Sequence, residues 1–435
     1  MKINFFKWLL CTIGLMFFWL ALNVMSTKQG WFTSSVVASK NSEVFMKYMQ
    51  KIIKHESKGN AVMLLIEAGD VVGEYAISKG QAVNGDTVFG VSSLGKWVAA
   101  VGVMALAEQG KLDIDKPVSS YLTRWALPQS DFNNDGVTVR RLLSHTAGIT
   151  DGLGHNGFAT RAKIQPLVEH LSQAKDADEG ADGRVRVGIE PGTSWQYSGG
   201  SYNLLQLIVE EVSGMSFEAY MSETIFKPLE MNNTTYRHES AASLAQYFDE
   251  KGNTRAYPFY TSLAATGLYS SANDLAKFVA MQLPEKLRSS KVNSILSKVS
   301  LKEMRMPHAS KLGIDIWGLG AMIFASNNQY DFIIGHGGGS PSLNSTVRLN
   351  PSNGNAFILL ETGNKYLAAD SATKWTLWET GNPDMYMLKN MIPAMLKRVL
   401  IGCVLILIGS LMMVWRKKKK SKASKKLSLS NLIKL

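Results

Sequence analysis

Residues 399–415, VLIGCVLILIGSLMMVW, carry no charge, and the chain then continues RKKKK. At about 1.5 Å per residue a helix over this run covers roughly 25 Å, slightly short of the ~20 residues that usually cross a bilayer. Extending it back to Ile392 supplies the length, with Lys397 and Arg398 snorkelling to the interface. A buried core helix gains nothing from a lysine block at its end. The run therefore reads as a transmembrane helix over 392–415, with residues 416–435 a basic cytoplasmic tail. The start of the chain repeats the theme. MKINFFK precedes a mostly apolar stretch over 8–25, longer than the ~7–15 residues of a signal-peptide core and without a small-x-small cleavage site. Residues 1–30 are expected to be a signal or, better, a signal-anchor segment, which leaves the intervening chain exported.

The distribution of charge excludes a simple nucleic-acid reading. Of the formal net charge of +12, nine positive and no negative charges fall in residues 416–435, so 12 − 9 leaves +3 for the rest. Lipid headgroups are the expected partner of lysines beside a span. The two cysteines, Cys11 and Cys403, both lie in the apolar runs, so the exported part has neither a disulfide nor a cysteine metal site. Residues 40–380 show no low-complexity break and no repeat, which predicts one globular domain. AVMLLIEAGDVVGEYAIS (61–78) reads as two strands around Gly69-Asp70, and WVAAVGVMALAEQGKL (97–112) as a buried helix stopped by Gly110. YNLLQLIVEEVSG (202–214) reads as an amphipathic helix, and QYDFIIGHGGGSPSLNSTVRLNP with NAFILLET as a strand, a Gly-rich turn and two further strands. A sheet built from both ends of the domain around a helical insert is the predicted fold: α/β or α+β, and not doubly wound.

VSSLGKWVAA, residues 91–100, holds the chemistry worth weighing. Ser93 and Lys96 are about one helical turn apart on one face, so an amine can reach a hydroxyl. A serine becomes nucleophilic only when a base removes its proton, and a lysine is that base only if its pKa is lowered. The apolar helix that follows suits such burial. Ser92 competes on spacing alone, and Ser172-x-x-Lys175 and Ser371-x-x-Lys374 repeat the pattern by chance. Tyr197, in PGTSWQYSGG before a helix, is placed to present a phenol to a cleft. In IIGHGGGSPS, His336 is followed by Gly337, Gly338 and Gly339, whose backbone can approach a ligand and offer N–H groups to an oxyanion.

FGVSSLGK, PGTSWQYSGG, ATGLYSSANDLAKF (265–278) and HGGG, in that order, resemble the serine β-lactamase and penicillin-binding peptidase family. The resemblance lies closest to class C β-lactamases and their esterase and D-amino-acid peptidase relatives. It covers about Val72 to Glu361 and includes GKLDIDKPVSSYL (110–122) and VTVRRLLSHTAGI (137–149). It implies a β-lactamase/transpeptidase-like fold, an antiparallel sheet flanked by helices plus a helical subdomain. It selects Ser93 as the acylated nucleophile, Lys96 as its proton partner and Tyr197 as the group relaying the proton to the leaving group. His336, Gly338 and Gly339 would form the substrate strand, with the N–H groups of Ser93 and Gly339 as the oxyanion hole. Two departures stand out. The usual Tyr-x-Asn reads Tyr197-Ser198-Gly199, without the amide that contacts a substrate's acyl side chain, and His336 replaces the fixed charge of a lysine. Both weaken the case for β-lactam hydrolysis and leave acyl transfer intact. DFNNDG (131–136) mimics a calcium loop, but Leu142 stands where its twelfth-position glutamate belongs. His145 is expected to be a structural loop residue, and neither metal nor organic cofactor is implied. The expected protein is a membrane-anchored serine hydrolase acting outside the cytoplasm on an ester, a D-amino-acid peptide of the cell wall or a β-lactam. Its rival is a non-catalytic wall-peptide binder or sensor.

Overall fold

The computed structural model describes residues 5–432 except Ser35, Gly154, Ser290 and Lys291, with side chains followed as far as Lys420. The chain forms two compact units, Val36–Thr380 and the two termini together. In the larger unit an eight-stranded sheet comprises β1 (Ala61–Glu67), β2 (Asp70–Ile77), β3 (Ala309–Lys311), β4 (Ile314–Trp317), β5 (Met322–Ser326), β6 (Phe332–Gly339), β7 (Leu343–Asn350) and β8 (Asn355–Thr362). Their order is β2-β1-β8-β7-β6-β5-β4-β3, every pairing antiparallel. The sheet is thus assembled from both ends of the domain, as expected, because β1 pairs with β8 from Ala61↔Glu361 to Ile66↔Ala356.

Helices cover it. In the smaller unit α1 is Phe5–Lys28; in the larger, α2 (Ser42–Glu56) and α6 (Leu367–Thr380) pack together, with Phe45 stacked on Trp378 at 4.4 Å and Trp375 on Phe357 of β8 at 6.4 Å. α3 (Gly95–Glu108) is buried without interruption from Gly95 to Leu106, with Lys96 the one charged residue in that stretch. α4 (Gly199–Ser213) begins at Ser198, whose hydroxyl caps it by accepting from Ser201 N, and ends at Gly214, where φ is +69°. α5 (Ala272–Met281) is capped the same way by Ser271.

One expectation is corrected here. The glycines of HGGG do not form a turn; Gly337, Gly338 and Gly339 continue β6, each paired across β7, and the turn follows at Ser340–Ser342. Glycine is needed for approach and not for bending. A β-carbon on Gly338 would lie 2.0 Å from the carbonyl oxygen of Val91 and 2.5 Å from Ser345 Oγ.

The smaller unit pairs α1 with α7 (Met385–Leu432), a helix longer at both ends than the span expected over 392–415 and continuous through Pro393. They run antiparallel: Trp8 Nε1 donates to Ser410 O at 3.3 Å and Trp19 Nε1 to Arg398 O at 3.2 Å. Gly402 leaves the notch that Trp19 fills, since a β-carbon there would sit 1.9 Å from the indole nitrogen.

Glu361 of β8 is 1% exposed, and burial pushes its carboxyl up to about 8 against the opposing N–H of Ala368. The raised value means the native state holds a proton that the unfolded chain has released. Stability from this group is full below the ordinary carboxyl range and is lost as pH rises through about 8. Glu361→Gln is therefore expected to leave the thermal midpoint nearly unchanged at pH 4.5 and to raise it by about 3–8 °C at pH 8. Calorimetry of both proteins across that range checks the slope.

Candidate active site

The turn Ser92–Leu94 leads directly into α3, and Ser92 takes φ +49°, a left-handed conformation uncommon for a residue with a side chain. Ser92 is buried, while Ser93 is partly open. Lys96 Nζ lies 3.1 Å from Ser93 Oγ and donates to the carbonyl of Ala265 at 2.6 Å. The Tyr197 and Tyr202 rings flank it, with centroids at 5.1 and 5.6 Å. No carboxylate bridges it among the described residues. Burial lowers its pKa to about 7, and the more distant Asp151 only partly opposes this. A lysine in this state is a neutral amine for much of the time near neutral pH, and so able to take a proton from a hydroxyl.

Tyr197 is 38% exposed as a residue, and its hydroxyl hydrogen-bonds Ser93. Desolvation of that end raises its pKa, with the Ser93 hydrogen bond opposing, so the phenol keeps its proton. His145 holds its loop. Its carbonyl accepts from Gln196 N at 2.8 Å and its Nδ1 from Ser198 N at 3.1 Å, which assigns the proton to Nε2. Its ring lies 4.5 Å from that of Tyr197 and 4.7 Å from that of Trp317. Asp151 completes the support, accepting from Ser198 Oγ at 2.5 Å and Gly200 N at 2.9 Å.

β6 runs beside the serine turn. Ser345 Oγ, from β7, donates to Val91 O at 2.7 Å, and Asn344 Nδ2 to Gly338 O at 2.9 Å, so the glycine strand is fixed from behind. His336 lies on this strand but is 1% exposed, its ring edge-on to Trp317 at 5.4 Å. Its Nδ1 donates to Gly337 O at 2.6 Å, and burial with the nearby Lys96 charge lowers its pKa to about 3. The side chain is neutral at every ordinary pH and offers no cation to a substrate carboxylate. Gly339, at the strand end, is exposed. The structure thus brings Ser93, Lys96 and Tyr197 into mutual contact. The other Ser-x-x-Lys pairs lack this setting: Ser172 and Lys175 are exposed, and Ser371 is buried in α6 while Lys374 is not. Asp151 and the Ala265 carbonyl were not singled out from sequence, although SHTAGI runs on to Asp151 and ATGLYSSANDLAKF begins at Ala265.

A fold of this kind with a serine, a desolvated lysine and a phenol beside the end of β6 defines a serine acyl-hydrolase. The beta-lactamase family model matches residues 46–381, and the chain belongs to that family. Penicillin-binding protein 4* of Bacillus subtilis is 30% identical over 203 residues, 45% of this chain and 42% of that protein. Protein flp of Staphylococcus aureus is 24% identical over 328 residues, 71% of this chain and 61% of its own length. The chain therefore aligns with roughly two fifths to three fifths of these relatives. An octameric penicillin-binding protein homologue from Pyrococcus abyssi superposes with a TM-score of 0.62 at 24% identity, over 77% of each chain. A beta-lactamase/D-alanine carboxypeptidase from Pseudomonas syringae gives 0.60 at 17% identity, over 76% of this chain and 97% of that one.

Gly338→Ala is expected to push β6 away from the Ser92–Leu94 turn, because the Val91 carbonyl it would meet at 2.0 Å is backbone and the Ser345 hydroxyl beside it is held by its own bond to Val91 O. A displacement near 1 Å at a reacting group costs up to about 10²-fold in rate. The variant should lose at least about tenfold in acylation rate and several degrees in midpoint, read by stopped-flow and by thermal unfolding.

Proposed function

We propose that Ser93 is the nucleophile, Lys96 its base, and Tyr197 the group that carries the proton to the leaving group. The single observation that carries this is Lys96, buried, without a carboxylate ion pair among the described residues, and 3.1 Å from Ser93 Oγ. The amine takes the hydroxyl proton as Oγ adds to a carbonyl carbon. The tetrahedral oxygen is received by the N–H groups of Ser93 and Gly339, with the strand around His336 and Gly338 lying along the substrate. Collapse expels the leaving group with the proton passed through Tyr197, and water then hydrolyses the acyl-enzyme. The neutral His336 and the missing Tyr-x-Asn amide favour an ester or a D-amino-acid amide or peptide over a β-lactam as substrate. Cell-wall peptides are the natural supply of such bonds.

We further propose that α1 and the apolar part of α7 cross the membrane as an antiparallel pair. Both helices are long and apolar enough to do so. The lysine-rich end then lies in the cytoplasm against anionic headgroups, and the hydrolase domain on the exported side.

Intact-protein mass after mixing with p-nitrophenyl acetate or a penicillin tests the chemistry. A Ser93-dependent acyl adduct is expected from the ester, its formation rate rising about tenfold per pH unit up to near pH 7 and levelling above, as a base of that pKa requires. Ester turnover undiminished in Ser93→Ala would refute the assignment. For the anchor, the full chain should float with lipid after carbonate extraction at high pH, and a chain lacking both terminal helices should not. Release of the full chain would remove the span.

A further inference from the structure

A single residue grips Tyr197 from both sides of its backbone. The N–H before it, of Gln196, donates to the carbonyl of His145 at 2.8 Å, and the N–H after it, of Ser198, donates to His145 Nδ1 at 3.1 Å. The imidazole also lies against the phenol ring, centroids 4.5 Å apart and planes at 38°. On its other side Trp317 meets it edge to face at 4.7 Å, donates its own Nε1 to Leu143 O at 3.2 Å and carries the contact on to His336 of β6 at 5.4 Å. His145 therefore ties the tyrosine loop to the sheet. The arrangement is held against two costs. His145 takes φ +58°, uncommon for a residue with a β-carbon and concentrated at working sites. Its Nε2 is buried without a hydrogen-bond partner among the described residues, a destabilising state for a polar atom. Packing alone does not account for an imidazole in that position, and both costs fall on the residue that brackets Tyr197.

We propose that His145 is the positioning residue of the proton relay: acting through Tyr197, it fixes where the phenol hydroxyl stands relative to Ser93 Oγ, and so decides whether bonds to strongly basic leaving groups are cut. When the tetrahedral intermediate collapses, the C–O or C–N bond breaks with its electron pair on the departing atom. That atom takes the Tyr197 proton, and Lys96 returns to the phenol the proton it took from Ser93. A leaving group that is stable as an anion departs without this help, whereas an amine or a basic alkoxide does not. His145 thus separates a hydrolase of amides and unactivated esters from one confined to activated esters.

The full chain is compared with His145→Gly, which tolerates the left-handed backbone but offers Ser198 N no side-chain acceptor, and with His145→Asn, which suits the same φ and can accept there. Should the glycine variant not fold, His145→Leu, which fills the space without an acceptor, takes its place with the same expectations. The readout is kcat/KM, which reports acylation alone, on p-nitrophenyl acetate and phenyl acetate: one acyl group on a weakly and a more strongly basic leaving group. His145→Gly should lose about tenfold on phenyl acetate and less than about threefold on the nitrophenyl ester. His145→Asn should recover most of the difference. Added to Tyr197→Phe, His145→Gly should cost less than about twofold more on phenyl acetate, because no hydroxyl is left to position. Equal losses on both esters, or the full loss again in the double variant, would make His145 a structural residue, and no loss on either would free Tyr197 from it; each overturns the proposal. The inference rests on the roles given above to Ser93 and Tyr197, and two controls keep the failures apart. Turnover by Ser93→Ala would remove the nucleophile, and equal losses on both esters in Tyr197→Phe alone would remove the relay, whatever His145 does.

Discussion

The site depends on one unfavourable placement: an amine put into an apolar helix with no carboxylate bonded to it among the described residues, and only the more distant Asp151 partly compensating it. Among the described residues Lys96 Nζ bonds the Ala265 carbonyl and the Ser93 hydroxyl and lies against two aromatic faces. A charged ammonium there costs several kcal/mol relative to water, and the protein lowers that cost by letting the proton go. The surrounding core enforces the condition. Because Gly95 to Leu106 is buried without a break, no water shell can form around the stem, and the amine is held next to the one hydroxyl it can deprotonate. The neighbouring histidines follow from the same field: His145 and His336 both have their pKa values lowered by burial first and by the Lys96 charge second.

The second constraint is distance between backbones. β6 passes so close to Val91 that Gly338 has no room for a methyl group, and Ser345 and Asn344 of β7 hold that approach. The grip extends further, since Ala369 N at the start of α6 donates to Asn344 Oδ1 at 3.1 Å, and Asn344 lies across from Glu361. A buried helix on the far side of the sheet thus fixes the strand that lines the cleft, through one asparagine side chain.

Much of this was legible in the sequence, for identifiable reasons. The Ser93–Lys96 spacing is local, so a helix start brings the two together. Tyr197 sits in a glycine-rich loop before an amphipathic helix, and both the helix and its cap are local too. The split sheet could be read from β-rich runs at the two ends of the domain. The glycine run misled because glycines mark turns more often than close-packed strands, and only the position of Val91, 247 residues earlier than Gly338, tells the two apart. Asp151 was not legible because its meaning lies in what it touches, Ser198 Oγ and Gly200 N.

The order in which the strands are strung along the chain has its own consequence. β1 has no permanent partner on its inner edge until β8 arrives, three hundred positions later. While the chain is being made, the hairpin β1–β2 and the buried helix behind it wait with apolar surface uncovered, and the sheet closes only once β8 has emerged. Folding of this domain is therefore governed by a late, long-range event and not by gradual growth from the amino end. A polypeptide interrupted between Tyr197 and Thr362 has the serine, the lysine and the tyrosine but lacks the complete strand that closes the sheet over β1.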